Sequence, residues 1–118
     1  MGIVHIVRPG HLSALDFELA PTPASINGQP SPKLASMEAY GSADGSVHTG
    51  VWEASTGTFR RAIVDAEFSH FISGHATFHA DDGSSYEFRG GNAAYFPPNT
   101  TGVWTIHETL RKTYCIWR

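Results

Sequence analysis

The residues best suited to chemistry are a group of histidines beside one glutamate. His70, His75 and His79 follow Glu67 closely in the sequence, and imidazole and carboxylate groups are common ligands of divalent metals. Side chains alternate between the two faces of a strand, so a strand that turns Glu67 inward turns His70 outward. We therefore expect the histidines to lie mostly on the outer face as ordinary exposed or interface residues. An unusual or purification-derived metal site is the alternative.

Other catalytic patterns are missing from the sequence. It has no Gly-x-Ser-x-Gly turn for a nucleophilic serine and no glycine-rich loop that could cradle a phosphate. The only cysteine, Cys115, lies in an apolar run, which favours a buried structural thiol. A single cysteine cannot form an intrachain disulfide, so we expect a reducing, cytoplasmic location.

Charge and hydropathy exclude two classes of partner. The net charge is -3, and no cluster of Lys and Arg marks a surface for a phosphate backbone, so we expect no nucleic-acid partner. No apolar run approaches the length of about 18 residues that a membrane-spanning helix needs. We therefore expect neither a membrane span nor a membrane partner.

The elements that must position these residues are short strands. The 118 residues fit one domain, and they are rich in Gly (12) and Pro (7) with only 16% charged residues. From residue 47 onward, short apolar runs recur every 8–12 residues or so, which is typical of an all-β protein. Residues 1–45 hold most of the prolines, and we expect an N-terminal arm there that packs on a barrel of residues 46–118 or on a partner subunit. Within the arm we predict strands at 3–7 and 37–40 and a helical turn within 11–19.

Two motifs carry a resemblance to a known family. Glu67 is followed after six residues by Gly74, and Gly91 is followed after five residues by Pro97. These runs, separated by a predicted hairpin, resemble the two conserved motifs of cupins. Further motifs are similar to the small cupins grouped with ureidoglycine aminohydrolase and the ethanolamine-utilisation cupin, at residues 50–53, 57–59, 82–83, 102–104 and 110–114. The resemblance covers roughly residues 47–118 and implies an all-β fold, a single cupin-type double-stranded β-helix or jelly-roll barrel.

The resemblance also implies where a metal would bind. In metal-binding cupins the first motif supplies two histidines and a glutamate, and the second motif supplies one more histidine. Here the places of the histidines are taken by Arg60 and Ala62, or Arg61 and Ile63, and by Gly102. Only Glu67 is retained, and one carboxylate with water cannot hold a transition metal against competition. We therefore expect no metal cofactor beyond weak or adventitious binding of a divalent ion.

The alignment with the cupin motifs predicts a polar pocket inside the barrel in place of a metal site. Strand alternation predicts that Glu67, Phe71, Trp104 and either Arg60 or Arg61 face inward. Further candidates are Trp52, Tyr95 and Tyr114 near the mouth, with Lys112 as another cation. A buried carboxylate needs a cation or hydrogen-bond donor, so a Glu–Arg or Glu–Lys pair is expected. The pair is either an internal salt bridge that replaces the metal or an anchor for a small anionic or amide-bearing ligand.

The sequence is compatible with three functions. The first is a module that binds a small polar metabolite in the barrel, with Arg60, Glu67, Phe71, Tyr95, Trp104 and Lys112 as candidate ligand-binding residues. The second is an enzyme, a hydrolase, isomerase or lyase acting on a small nitrogenous or sugar-derived metabolite, with Glu67 as acid or base. The third is a structural barrel without a ligand. Cupins commonly pair through a sheet face, so we expect a homodimer.

Overall fold

The chain folds almost entirely into β-strands. The structure, a computed structural model, describes residues 2–118, and in that range it contains two short 3-10 turns, Pro9–His11 and Ala14–Asp16, but no α-helix. The strands are β1 (Glu18–Leu19), β2 (Leu34–Gly41), β3 (Val47–Ala54), β4 (Gly57–Ile63), β5 (Ala66–Ala80), β6 (Ser85–Arg89), β7 (Ala93–Phe96) and β8 (Thr100–Trp117). The predicted all-β class is confirmed. Among the described residues, no helix is long and apolar enough to cross a membrane.

Two long antiparallel strands, β5 and β8, organise the whole sheet. They pair with each other along their lengths. The first half of β8 also pairs with β4 and the second half with β3. The first half of β5 pairs with β7 and the second half with β6. The sheet therefore forms two layers, β1-β2-β3-β8-β5-β7 and β4-β8-β5-β6, which share their central strands as in a jelly roll.

β5 passes from one layer to the other through an irregular stretch. Its register with β8 shifts between Phe71 and Ala76. Gly74 lies in this stretch with φ of 99°, a conformation that side chains rarely adopt. A Cβ at Gly74 would lie 2.1 Å from the carbonyl oxygen of Thr109. The bend therefore needs glycine, both for its backbone angle and for the close approach of β8.

Aromatic rings fill much of the space between the layers. Phe59, Phe71, Phe78 and Trp104 are almost fully buried. The Trp104 ring centroid lies 4.9 Å from that of Phe78 and 6.3 Å from that of Phe71, with edge-on geometry. Such pairs stabilise a core beyond the area that they bury. The inward-facing polar side chains lie beside this aromatic core.

The predicted alternation of inward and outward side chains is confirmed on β5 and β8. Along β5, Glu67, Ser69 and Phe71 are buried and His70 is exposed. His107 on β8 is also exposed. The inward face of β5 therefore carries one carboxylate and one hydroxyl next to the aromatic core.

The N-terminal segment differs in part from prediction. The strand predicted at 3–7 is wrong: those residues form no strand, and Ile3 is 97% exposed, because no neighbouring strand offers hydrogen bonds there. The strand predicted at 37–40 is confirmed and lies within β2. Over 11–19 the chain forms the end of one 3-10 turn, a second 3-10 turn and β1.

This segment contacts the barrel of its own chain. The amide of Thr58 donates a hydrogen bond to the carbonyl oxygen of Pro30 (2.9 Å). The Arg111 guanidinium donates to the carbonyl oxygen of Pro9 (3.0 Å) and lies 5.0 Å from the Phe17 ring centroid. Backbone and side-chain contacts thus hold the first residues against β4 and β8.

A substitution at Gly102 tests the packing between β8 and β5. A Cβ at Gly102 would lie 2.4 Å from the carbonyl oxygen of His79 and 2.7 Å from the Phe78 ring. Because the backbone oxygen cannot move aside cheaply, we expect Gly102→Ala to lower the free energy of unfolding by about 1–3 kcal/mol. Urea denaturation measures this, with Gly2→Ala as the control because open space surrounds that position. Equal stability of the two variants would contradict the packing described here.

Candidate functional site

A buried ion pair lies at the centre of the site. The Lys112 ammonium lies 2.5 Å from Oε2 of Glu67, and both side chains are almost fully buried. The Ser69 hydroxyl donates a second hydrogen bond to the same oxygen, at 2.7 Å. Lys112 on β8 pairs in register with Phe71 on β5, so its long side chain runs back along the inner face to Glu67. The antiparallel pairing of the two long strands thus brings the two charges together.

Aromatic rings surround the Lys112 ammonium. Its nitrogen lies 4.7 Å from the Trp52 ring centroid and 5.6 Å from that of Phe96. The rings of Phe71 and Trp104 follow at 5.9 and 6.0 Å. Ring faces attract cations at such distances, so these walls hold the ammonium in place while they exclude water.

The two charges control each other's protonation. Burial alone would raise the pKa of Glu67, but Lys112 and Ser69 stabilise the carboxylate and hold the pKa below its ordinary value of 4.5. Burial lowers the pKa of Lys112 because desolvation disfavours the ammonium, and the charge of Glu67 offsets only part of that effect. A buried pair of this kind is costly to break from either side.

A cavity of about 210 Å³ adjoins the ion pair. It lies on the inner face of β2, β3, β5 and β8 and is bounded by one residue of the opposite layer, Arg61 on β4. Its lining residues are Ser36, His48, Trp52, Arg61, Glu67, Lys112, Tyr114 and Ile116. Within residues 2–118, Arg61 takes part in no ion pair and no side-chain hydrogen bond. The cavity is therefore lined by a half-buried arginine that makes no side-chain hydrogen bond to the described chain and whose nitrogens solvent can reach.

The structure corrects the position expected for Arg60. Its side chain is 57% exposed on the outer face of β4 and makes two hydrogen bonds, of 2.8 and 3.2 Å, to Asp81. Arg61, the other candidate, faces inward. Phe59 and Ile63 are buried on the same side of β4, which fixes the alternation of that strand.

Tyr95 also lies away from the ion pair. It is 54% exposed, and its ring stacks on Trp117 with centroids 6.1 Å apart. It borders a separate groove with Phe78, Phe88 and Phe96. The expected position of Tyr95 near the mouth of the polar pocket is therefore wrong, because Tyr95 points to the opposite face of β7 from the buried Phe96.

The other residues predicted for the site either line the cavity or pack beside the Lys112 ammonium. Glu67 and Lys112 border the cavity, whereas Phe71 and Trp104 are buried beside the Lys112 ammonium. His48 also lines the cavity, with its Nδ1 2.6 Å from Glu38, although no sequence pattern placed it there. Ser69 is not among the predicted site residues. Its position two residues after Glu67 on the same strand nevertheless indicates that both side chains share the inward face.

The inward residues do not fit a metal centre. The positions that the resemblance to metal-binding cupins assigns to the ligands hold Arg61, Ile63, Glu67 and Gly102. A histidine at Gly102 would collide with the Phe78 ring. Within the described part of the chain, no group of three His, Cys, Asp or Glu side chains is placed to hold a metal ion. The site's chemistry is therefore that of a carboxylate, an ammonium and a guanidinium.

The outer histidines have protein partners of their own. Nε2 of His75 lies 2.7 Å from Glu87, and Nε2 of His107 lies 2.9 Å from the Thr77 hydroxyl. These contacts agree with ordinary surface histidines.

A double-layered antiparallel barrel with a polar cavity between its layers is the architecture of a small cupin. The chain belongs to the EutQ-like cupin domain family, whose model matches residues 41–114. A comparison with curated proteins found no match.

Solved structures show the same fold. The chain is similar to the EutQ protein of Clostridium difficile, with a TM-score of 0.66 and 16% identity over 85% of this chain and 79% of that one. The putative ethanolamine utilization protein Q of Salmonella typhimurium has a TM-score of 0.64 and 13% identity over 86% and 96% of the two chains. A protein of unknown function from Pseudomonas syringae, of the DUF861 family, reaches a TM-score of 0.73 at 19% identity, over 85% of this chain but 43% of the other.

Removing the carboxylate tests the ion pair. We expect Glu67→Gln to lower the free energy of unfolding by about 3–5 kcal/mol near neutral pH, because Lys112 is left buried without its partner. Chemical denaturation checks this, with Glu18→Gln as the control since Glu18 is exposed. A loss below about 1 kcal/mol, the range of exposed pairs, would contradict the role of the pair.

The pH dependence of stability gives a second test of the same pair. The pKa of Glu67 is lowered in the folded protein, so its contribution is complete above the ordinary value and is lost as the pH falls through the folded pKa. We therefore expect the stability difference between wild type and Glu67→Gln to shrink below a pH of about 4.5. A difference that stays constant down to the acid transition would contradict the pKa shift.

Proposed function

We propose that the protein binds a small anionic metabolite in the barrel cavity without a tightly bound metal. The observation that carries this proposal is the unpaired guanidinium of Arg61, which borders a cavity beside a neutralised ion pair. A partly buried cation without a partner is costly unless water or a ligand satisfies it. A carboxylate is the natural partner, because the planar guanidinium can bind both of its oxygens at once.

The charges and size of the cavity define the ligand further. Lys112 pairs with Glu67, and His48 contacts Glu38, so Arg61 is the cation of the cavity lining that has no carboxylate partner among the described residues. The cavity volume of about 210 Å³ lies below the range of roughly 300–1,000 Å³ for drug-sized ligands. We infer a small monocarboxylate, with the Tyr114 and Ser36 hydroxyls available to hydrogen-bond its remaining polar atoms.

Two adjacent arginines provide a matched test of the anchor. Arg61 faces the cavity and Arg60 the outer surface. We expect small carboxylates such as acetate and pyruvate to raise the melting temperature of the wild type. Arg61→Gln should weaken their binding, measured by titration calorimetry, by about tenfold or more because a charge-assisted interaction is lost. Arg60→Gln should bind as the wild type does; equal affinities in both variants would overturn the proposal.

The metal-free part of the proposal has its own test. We expect elemental analysis of the purified protein to find no transition metal near one equivalent per chain, because the inward residues offer one carboxylate and no imidazole pair. Treatment with EDTA should leave the melting temperature and carboxylate binding unchanged. A stoichiometric metal that EDTA removes together with binding would contradict this.

Two expectations from the sequence accompany this proposal. A cytoplasmic location agrees with the single free cysteine, Cys115. The homodimer stays a prediction, and the mass from light scattering at micromolar concentration checks it.

A further inference from the structure

The amine of Lys112 borders the same cavity as the Arg61 guanidinium. We propose that Lys112 is a nucleophile that forms an imine with the carbonyl carbon of a small 2-oxo acid, whose carboxylate Arg61 holds. The inference rests on the proposed function, since it assigns a reaction to a ligand anchored in that cavity.

The surroundings of Lys112 are those of a reactive amine. Its side chain is 7% exposed, and aromatic rings border the nitrogen at 4.7–6.0 Å. A lysine becomes a useful nucleophile when it is desolvated among apolar groups or lies close to another cation. Lys112 meets both conditions, since burial and the charge of Arg61 both lower its pKa. The low exposure also restricts the amine to molecules that enter the cavity.

Glu67 supplies the proton transfers that imine formation needs. Its Oε2 lies 2.5 Å from the Lys112 nitrogen, within direct proton-transfer distance. Moving the proton from Lys112 to Glu67 turns a buried ion pair into a neutral amine and a neutral acid. Desolvation lowers the cost of that exchange because both charged forms are costly away from water, while Lys112 and Ser69 keep the carboxylate the major form before a ligand enters. Ser69 holds the carboxyl group in position throughout.

The reaction balances within these two side chains. The neutral amine attacks the carbonyl carbon, a C–N bond forms, and the carbonyl oxygen takes the proton from Glu67. Glu67 then removes a proton from the nitrogen and returns it to the hydroxyl group, which leaves as water. The products are a protonated imine, one water molecule and the Glu67 carboxylate. Because the imine withdraws electrons from the neighbouring carbon, Glu67 can next remove a proton there, which is the first step of an isomerase or lyase.

The lysine content of the chain allows a direct experiment. Lys33 and Lys112 are the only lysines, and Lys33 is exposed whereas Lys112 is buried. The protein is incubated with pyruvate and sodium cyanoborohydride, which reduces an imine to a stable amine. Intact-mass measurement counts the adducts and peptide mapping places them. We expect an adduct at Lys112 that forms at least about tenfold faster than any at Lys33 or at the N-terminal amine.

Matched probes and variants separate the reaction from simple binding. Acetone has the carbonyl without the carboxylate, so it should label Lys112 far more slowly, and acetate should compete with pyruvate. Arg61→Gln should lower labelling about tenfold or more, in line with the loss of a charge-assisted contact. Lys33→Arg and Arg60→Gln should label as the wild type does. Because the wild type itself compares the two lysines, the result does not depend on the folding of a Lys112 variant.

The outcomes distinguish the two proposals. Labelling at Lys112 that needs both Arg61 and the carboxylate supports the imine. If pyruvate binds through Arg61 but Lys112 stays unlabelled, or labels no faster than Lys33, the imine is overturned and the proposed binding function stands. If neither acetate nor pyruvate binds and Lys112 stays unlabelled, both proposals fail.

Discussion

The buried contact between Glu67 and Lys112 is the interaction on which the interior of this barrel depends. Removing two charges from water costs free energy that only a close, well-aligned partner repays. Here the carboxylate has two donors, Lys112 and Ser69, and the ammonium lies among aromatic rings. A metal-binding cupin would place a cation near its glutamate, and this chain places the cation on the neighbouring strand. The barrel thus keeps a carboxylate inside without the histidines that normally accompany it.

The same pair shapes the space beside it. Lys112 occupies part of the interior and neutralises Glu67, so Arg61 becomes the charge that faces the cavity unpaired. Trp52 and Tyr114 contribute aromatic surface to the lining, and of its cations Arg61 alone has no carboxylate partner in the described chain. A small cavity of this kind is a different environment from a hydrated metal centre. Under the proposed function, selectivity for an anion comes from its shape and from the geometry of the guanidinium.

Much of this arrangement could be predicted from the sequence, and the exceptions have physical reasons. The inward position of Glu67 follows from strand alternation, and Lys112 was among the few cations available to it. The choice between Arg60 and Arg61 could not be made, because a shift of one residue in β4 exchanges the two faces. That choice depends on how β4 aligns with β8, where Arg61 pairs with Gly102. The short strand expected at 3–7 does not form for a related reason, since strand propensity does not supply a neighbouring strand.

The position of β8 in the sheet has a consequence for how the chain is made. Among the described strands β4 pairs only with β8, β3 lies between β2 and β8, and β5 pairs with β8 in both layers. During synthesis these three strands leave the ribosome before residues 100–117 exist, so they must wait without their common neighbour. Neither layer can close early and template the other. Before β8 is made, β2 can pair with β3 and β5 with β6 and β7, but β4 lacks its one described partner strand and one edge each of β3 and β5 stays open. β8 then joins these parts into two layers and brings Lys112 to Glu67.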